Sequence, residues 1–179
     1  SKEENTIQFN YFINNELINI KYRDGKKNFK LVKGAEKIFY NIDSTVGHDY
    51  MVIVEGEMDA LSFVEAGISS VISVPNGATV SNNNLEYLDN CIDYFENKEK
   101  IILAVDQDEA GENLKQELIR RLGAEACYTC DFGVYKDANE FLIHNSRNML
   151  SDVIKNASAV PIENVLTLKD VDDELQEFI

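Results

Sequence analysis

The sequence predicts an α/β fold: a three-layer parallel sheet flanked by helices, preceded by a small β-rich N-terminal subdomain. Three observations carry it. Met51-Val52-Ile53-Val54, Val71-Ile72-Ser73-Val74 and Ile101-Ile102-Leu103-Ala104-Val105 are apolar runs too short for helices and rich in β-branched residues, as strands covered on both faces are. Helical spacing separates these runs, and strand-helix-strand order calls for parallel pairing through crossovers. Before residue 48 the pattern changes to short alternating runs punctuated by turn residues.

In chain order, Phe9 to Phe12 and Leu17 to Tyr22 are alternating strands with Asn14-Asn15 as the turn between them. Asp24-Gly25 makes a second turn, ringed by Lys21, Arg23, Lys26 and Lys27, before Asn28 to Val32. Ile38 to Ile42 is a further short strand. After the Met51 run, Asp59 to Ala66 is helical with Leu61, Val64 and Phe63 inward, and Gly67 ends it. The Val71 run leads into the tight turn Pro75-Asn76-Gly77-Ala78, where glycine permits close approach to a ligand. Leu85, Leu88, Ile92 and Phe95 predict one long helix from about Asn83 to Asn97. The Ile101 run is followed by a helix from Gly111 or Glu112 to Leu122, then a strand over Ala126 to Cys130. Asp137 caps a short helix, helical pattern resumes from Met149 to Ala157, and Thr167 to Ile179 reads as an acidic amphipathic helix.

The chain has 179 residues, 44% of them apolar, enough for one core of moderate size. No apolar run approaches the roughly 20 residues needed to cross a bilayer. Cys127-Tyr128-Thr129-Cys130 has zinc-knuckle spacing, but a tetrahedral zinc takes four ligands and the chain has three cysteines and two isolated histidines. The expected compartment is a reducing one, the cytoplasm. The net charge of −15 taken alone argues against a nucleic-acid protein, but it is unevenly spread. Residues 1–40 hold eight basic and five acidic side chains, whereas residues 41–179 hold nine and 27. A basic face beside an acidic one suits a polyanion bound through a cation.

Both main apolar runs stop at carboxylates. The first ends at Glu55-Gly56-Glu57-Met58-Asp59 and the second at Asp106-Gln107-Asp108-Glu109-Ala110-Gly111. The carboxyl ends of parallel strands are where open α/β sheets bind ligands. Asp106 and Asp108 are two apart on an extended segment, so both side chains reach one hard cation. With Glu55 beside them, the set suits metal-assisted phosphoryl or nucleotidyl transfer. Asp137 beside Lys136 adds a third acidic turn. Glu57 is expected to point away from Glu55, and Glu109 to start a helix, so both are left outside the site. The chain has no GxGxxG, GxxxxGK[ST] or GxSxG, which argues against dinucleotide binding, P-loop hydrolysis and nucleophile-elbow esterases.

The two acidic motifs resemble the signature motifs of Toprim domains, which occur in bacterial-type primases, topoisomerases and some nucleases. Lys136-Asp137-Ala138-Asn139-Glu140 is similar to the matching motif of phage-type primase-helicases and the mitochondrial helicase Twinkle. So is the order of the whole chain, with Tyr22-Arg23-Asp24 and Lys30 in a β-rich lead-in. The resemblance implies a primase-core lead-in over residues 1–48, a Toprim domain over 49–150 and a helical linker towards a helicase domain over 151–179. It implies a DNA primase catalytic core that makes short RNA primers from ribonucleoside triphosphates on single-stranded DNA, using Mg²⁺ or Mn²⁺. Glu55, Asp106 and Asp108 would bind metal, assisted by Asp59 and Asp137. Lys21, Arg23, Lys30 and Lys136 would contact template or nucleotide phosphates, with the Asn76-Gly77 loop beside the metal. Two alternatives stand next to it: a catalytically weak or inactive Toprim module that binds DNA or couples to a replicative helicase, and a Toprim nuclease.

Overall fold

The computed structural model describes residues 6–77 and 85–162. Two sheets and their helices make up this part of the chain. β1 (Ile7–Ile13), β2 (Glu16–Arg23) and β3 (Phe29–Leu31) form an antiparallel sheet in sequential order. The turn between the first two strands is Asn14-Asn15, with φ values of 52° and 65°. Asparagine tolerates that left-handed region better than most residues. Both turn amides donate to the Asp43 carboxylate, at 2.9 and 3.0 Å.

The second sheet has the order β5-β4-β6-β7-β8, from β4 (Tyr50–Val54), β5 (Val71–Ser73), β6 (Lys100–Leu103), β7 (Cys127–Thr129) and β8 (Ser158–Ala159). The first four are parallel, and β8 adds an antiparallel edge that the sequence pattern did not predict. Alternation along β4 divides the core in two. Met51 and Ile53 face a layer containing Ile101, Leu103, Leu114 and Leu118, the last two from α3 (Glu109–Leu122). Val52 and Val54 face Ala60 and Phe63 of α1 (Glu57–Glu65), Phe141 of α4 (Ala138–His144) and Leu150 of α5 (Arg147–Lys155). The result is a three-layer α/β unit. Phe9 and Tyr11 of β1 belong to the same core as Met51 and Ile53, so the antiparallel sheet is packed onto the unit that carries the acids.

Three local expectations are corrected. Of the long helix expected from Asn83 to Asn97, the first two residues lie outside the described part, and the rest is α2 (Glu86–Asp89) followed by a 3₁₀ turn over Ile92–Phe95. Asn90 breaks it: its side-chain amide donates to the Lys37 carbonyl at 2.9 Å, and the chain leaves helical geometry at Cys91. Ile92 is consequently half exposed. In α1, Leu61 and Val64 face outward while Ala60 and Phe63 face the core; the buried polar pair Asp59 and Ser62 is turned towards α4, and this fixes the rotation of the helix. Ile38 to Ile42 is not a strand but a buried segment with a single bridge, Tyr40 to Ser73. The predicted helix from Thr167 to Ile179, most of the 151–179 segment and Ala78 lie outside the described residues.

Candidate active site

β4 and β6 are adjacent and parallel, with Ile53 opposite Leu103, so the segments that follow them emerge side by side. Glu55 comes from the first and Asp106 from the second. The Asp106 backbone N–H donates to Glu55 Oε1 at 3.0 Å, which locks the two acidic turns together. Gly111 permits that closeness. A Cβ there would lie 2.1 Å from the Asp106 carbonyl oxygen and 2.5 Å from Glu55 Oε1. The first turn of α3 therefore presses against both motifs, and only glycine fits.

Asp106 and Asp108 do face one cation, and it is protein-borne. Lys136 Nζ lies 3.0 Å from Oδ2 of each. The two carboxyls nonetheless differ. Burial pushes Asp106 up, against the pull of Lys136. Asp108 is pulled below the ordinary carboxylate range, first by the Gly111 N–H it accepts at 2.9 Å as the N-cap of α3, then by Lys136. Lys136 is in turn held firmly as the ammonium by the two acids.

What places Lys136 there is Gln107, which the sequence reading passed over. Its Nε2 donates to the carbonyls of Gly133 and Tyr135, at 3.0 and 2.8 Å, and its Oε1 accepts from the Phe132 N–H at 3.1 Å. The Gln107 N–H donates to the Lys136 carbonyl at 2.8 Å. One glutamine between two aspartates thus clamps the loop that carries the lysine. Asp137 caps α4 by accepting from the Glu140 N–H at 2.7 Å. Asn139 then ties this third motif to the first: its N–H donates to Asp59 Oδ1 at 2.9 Å and its side chain to Ser62 Oγ at 3.1 Å.

Asp59 is 8% exposed and is pushed up to about 7, first by burial and then by the negative charges of Asp137, Asp106 and Glu55. Because the folded chain keeps a proton that the unfolded chain releases near pH 4, stability falls as pH rises through roughly 4 to 7. Asp59→Asn keeps the acceptor for Asn139 and removes the charge. Its melting temperature is expected to exceed the parent's by roughly 10 °C at pH 8 and to differ little at pH 4, at about 1.4 kcal/mol per pKa unit. Thermal melts across that range check it, and parallel curves for the two proteins would refute the assignment.

A cleft of about 450 Å³ opens between the acids and the antiparallel sheet. Of the residues expected at the site, Lys21, Lys30, Glu55, Asp59, Asp106, Asn76 and Gly77 line it. Asp108 lines an adjoining hollow with Asp106 and Gln107. Arg23 and Asp137 line neither. Arg23 sits 5.7 Å from the Phe29 ring centroid, and Asp137 acts on the acids through charge. Lys21 is not an open surface lysine. It is 7% exposed, with Nζ 2.7 Å from Glu57 Oε1, which also accepts from the Tyr11 hydroxyl at 2.5 Å. Glu57, left outside the site by the sequence reading, is thus the buried joint between the two sheets.

Among the described residues no three His, Cys, Asp or Glu side chains already form a cage for an ion. The donor set suits Mg²⁺ or Mn²⁺ all the same. Mg²⁺ takes one or two carboxylates and keeps waters and substrate phosphates for the rest, and Lys136 Nζ marks a position where Asp106 and Asp108 share a cation.

The model of the Toprim-like family matches residues 52–142. The chain is 35% identical to the primase homolog protein of Arabidopsis thaliana, over 90% of this chain and 53% of that protein. It is 32% identical to the chloroplastic/mitochondrial Twinkle homolog of the same plant, over 98% of this chain and 27% of that one. The chain therefore spans about half of one relative and about a quarter of the other. Among solved structures, the primase fragment of the bacteriophage T7 primase-helicase superposes with a TM-score of 0.71 at 26% identity, covering 82% of this chain and 62% of that one.

Proposed function

The chain belongs to the Toprim-like family, and we propose that it is the catalytic core of a DNA primase, joining ribonucleotides into short RNA primers on single-stranded DNA with Mg²⁺ or Mn²⁺. The observation that carries this is the cleft: a wall bearing Lys21 and Lys30 faces Glu55, Asp59 and Asp106 across it. Its volume of about 450 Å³ is that of a small-molecule site.

A divalent ion held by Asp106 and Asp108, with Glu55 beside them, would neutralise triphosphate charge and sharpen a hydroxyl nucleophile. The rest falls to the chain itself. Glu55 fixes the backbone of Asp106 and so aims that carboxylate. Asp59, through Asn139, keeps the third motif registered on the first. Lys30 and Lys21, both at the cleft wall, offer positive charge to phosphates, and Lys136 would be free to pair with a phosphate if a metal were held by the two aspartates. A helicase domain in the parent protein is the partner this role implies.

The test is synthesis of a labelled dinucleotide on a single-stranded template with Mn²⁺ or Mg²⁺. Product is expected with either metal and none in EDTA. A second reading, a DNA-binding or coupling module of a replicative helicase, is favoured by the commitment of both aspartates to Lys136 and by the likeness to the Twinkle homolog. Strand binding without product under any metal supports it over the primase reading. Metal-dependent cleavage of the template in place of synthesis supports a nuclease.

A further inference from the structure

We propose that the Phe29 ring is a stacking platform for one base of a single strand whose phosphates lie along Arg23 and Lys30. This deepens the primase reading by saying how the strand is held, and it rests on that reading for the identity of the strand.

Phe29 stands on β3, the edge of the antiparallel sheet, and is 53% exposed; Phe12 is also exposed, whereas Phe9, Phe39, Phe63, Phe95, Phe132 and Phe141 are buried. A lone exposed aromatic is ordinary. This one lines the same cleft as Glu55 and Asp106. The register pairs Phe29 with Arg23 and Leu31 with Lys21, so these four side chains share one face of the sheet, while Lys30, opposite Tyr22, reaches the cleft from the sheet's edge. Lys21 Nζ lies 4.9 Å and the Arg23 guanidinium 5.7 Å from the ring centroid. Cations at that range hold an aromatic ring by cation–π attraction and leave the rest of its surface to a ligand.

The charges point the same way. The chain has 32 acidic and only 17 basic side chains, yet among the described residues neither Arg23 nor Lys30 has an acidic partner. Where carboxylates are in such excess, cations without one beside an exposed ring are available to a phosphate backbone. An aromatic face interleaved with free cations is the combination that binds single strands: the ring takes any base, and the cations take the backbone. A free nucleotide offers the same base and phosphate chemistry, so the test carries both.

The chain has no tryptophan, so Phe29→Trp installs a single tryptophan at the platform, excited selectively over the eight tyrosines. With EDTA present and at low salt, a twelve-residue oligothymidylate is expected to quench that emission saturably, and ATP alone to leave it unchanged. Phe29→Ala, which melts like the parent because the ring is exposed, is expected to bind the same oligonucleotide about 5- to 100-fold more weakly, the loss of one stacked base. Phe29→Tyr is expected to bind as the parent does. No quenching by the oligonucleotide, or equal affinity in Phe29→Ala and parent, overturns the platform. Quenching by ATP and not by the oligonucleotide overturns the strand assignment. Because metal is absent throughout, a chain that binds and quenches but makes no dinucleotide fails the primase reading alone.

Discussion

Asp106→Asn is expected to abolish primer synthesis within the limits of assay, a fall of about 1,000-fold, and to weaken Mn²⁺ binding by more than the roughly 10- to 100-fold that loss of an outer-shell partner costs. The reasoning is geometric. Asp106 is the one acid that faces the cleft, shares Lys136 Nζ with Asp108, and is backed by Glu55 through its own N–H. Asparagine preserves shape and the backbone bond while removing the charge. Asp108→Asn is a weaker test of the same point, because Asp108 also caps α3 and is far more open to solvent. Lys136→Met should act in the opposite sense on metal: with the ammonium gone from between the two carboxylates, Mn²⁺ binds more tightly. Calorimetric titration of the three proteins with Mn²⁺ separates these effects from catalysis. If Asp106→Asn binds Mn²⁺ as the parent does, the ion is not where Lys136 marks it.

The acids at the strand ends were legible because the signal is local. A β-branched run that halts at a carboxylate reports both the buried strand and the open crevice beyond it, and parallel pairing of β4 with β6 then brings the two together. The Asp106–Asp108 spacing likewise put both side chains on one side without any tertiary information, though what they meet there is the Lys136 ammonium, which the spacing could not announce. The long helix over Asn83 to Asn97 failed because Asn90 finds its partner at Lys37, more than fifty positions away. Gln107 was overlooked for a related reason. Its value lies in three backbone groups of the 132–135 loop, and nothing in a polar side chain between two aspartates announces them. Gly111 is the intermediate case: the motif contains it, but its necessity appears only when a Cβ is set against the Asp106 carbonyl.

Glu57 shows where alternation stops being informative and gives the largest expected loss of stability. Alternation said correctly that it would turn away from Glu55; it could not say that the other side held Tyr11 and Lys21. Glu57 is 2% exposed and accepts from both, joining β1 and β2 to the start of α1 one residue beyond Gly56. Burial and the Glu57 charge push the Tyr11 hydroxyl far up, so it remains a donor at every working pH. Glu57→Ala strands an ammonium and a hydroxyl in the interior, and breaking a buried pair from one side costs about 3–5 kcal/mol. For a chain of this size the melting temperature is expected to drop by roughly 10 °C. Replacing the pair together, Glu57→Leu with Lys21→Met, should recover about half of that loss, because no charge is left uncompensated while the buried Tyr11 hydroxyl still lacks its acceptor. The double variant then separates two roles of Lys21. If the lysine only supports Glu57, the refitted joint synthesises primer like the parent; if its ammonium also meets phosphate at the cleft wall, the recovered fold stays slow. The second outcome is expected, since Lys21 lines the cleft that Glu55 and Asp106 face, and a melt run beside the dinucleotide assay reads both quantities on one sample.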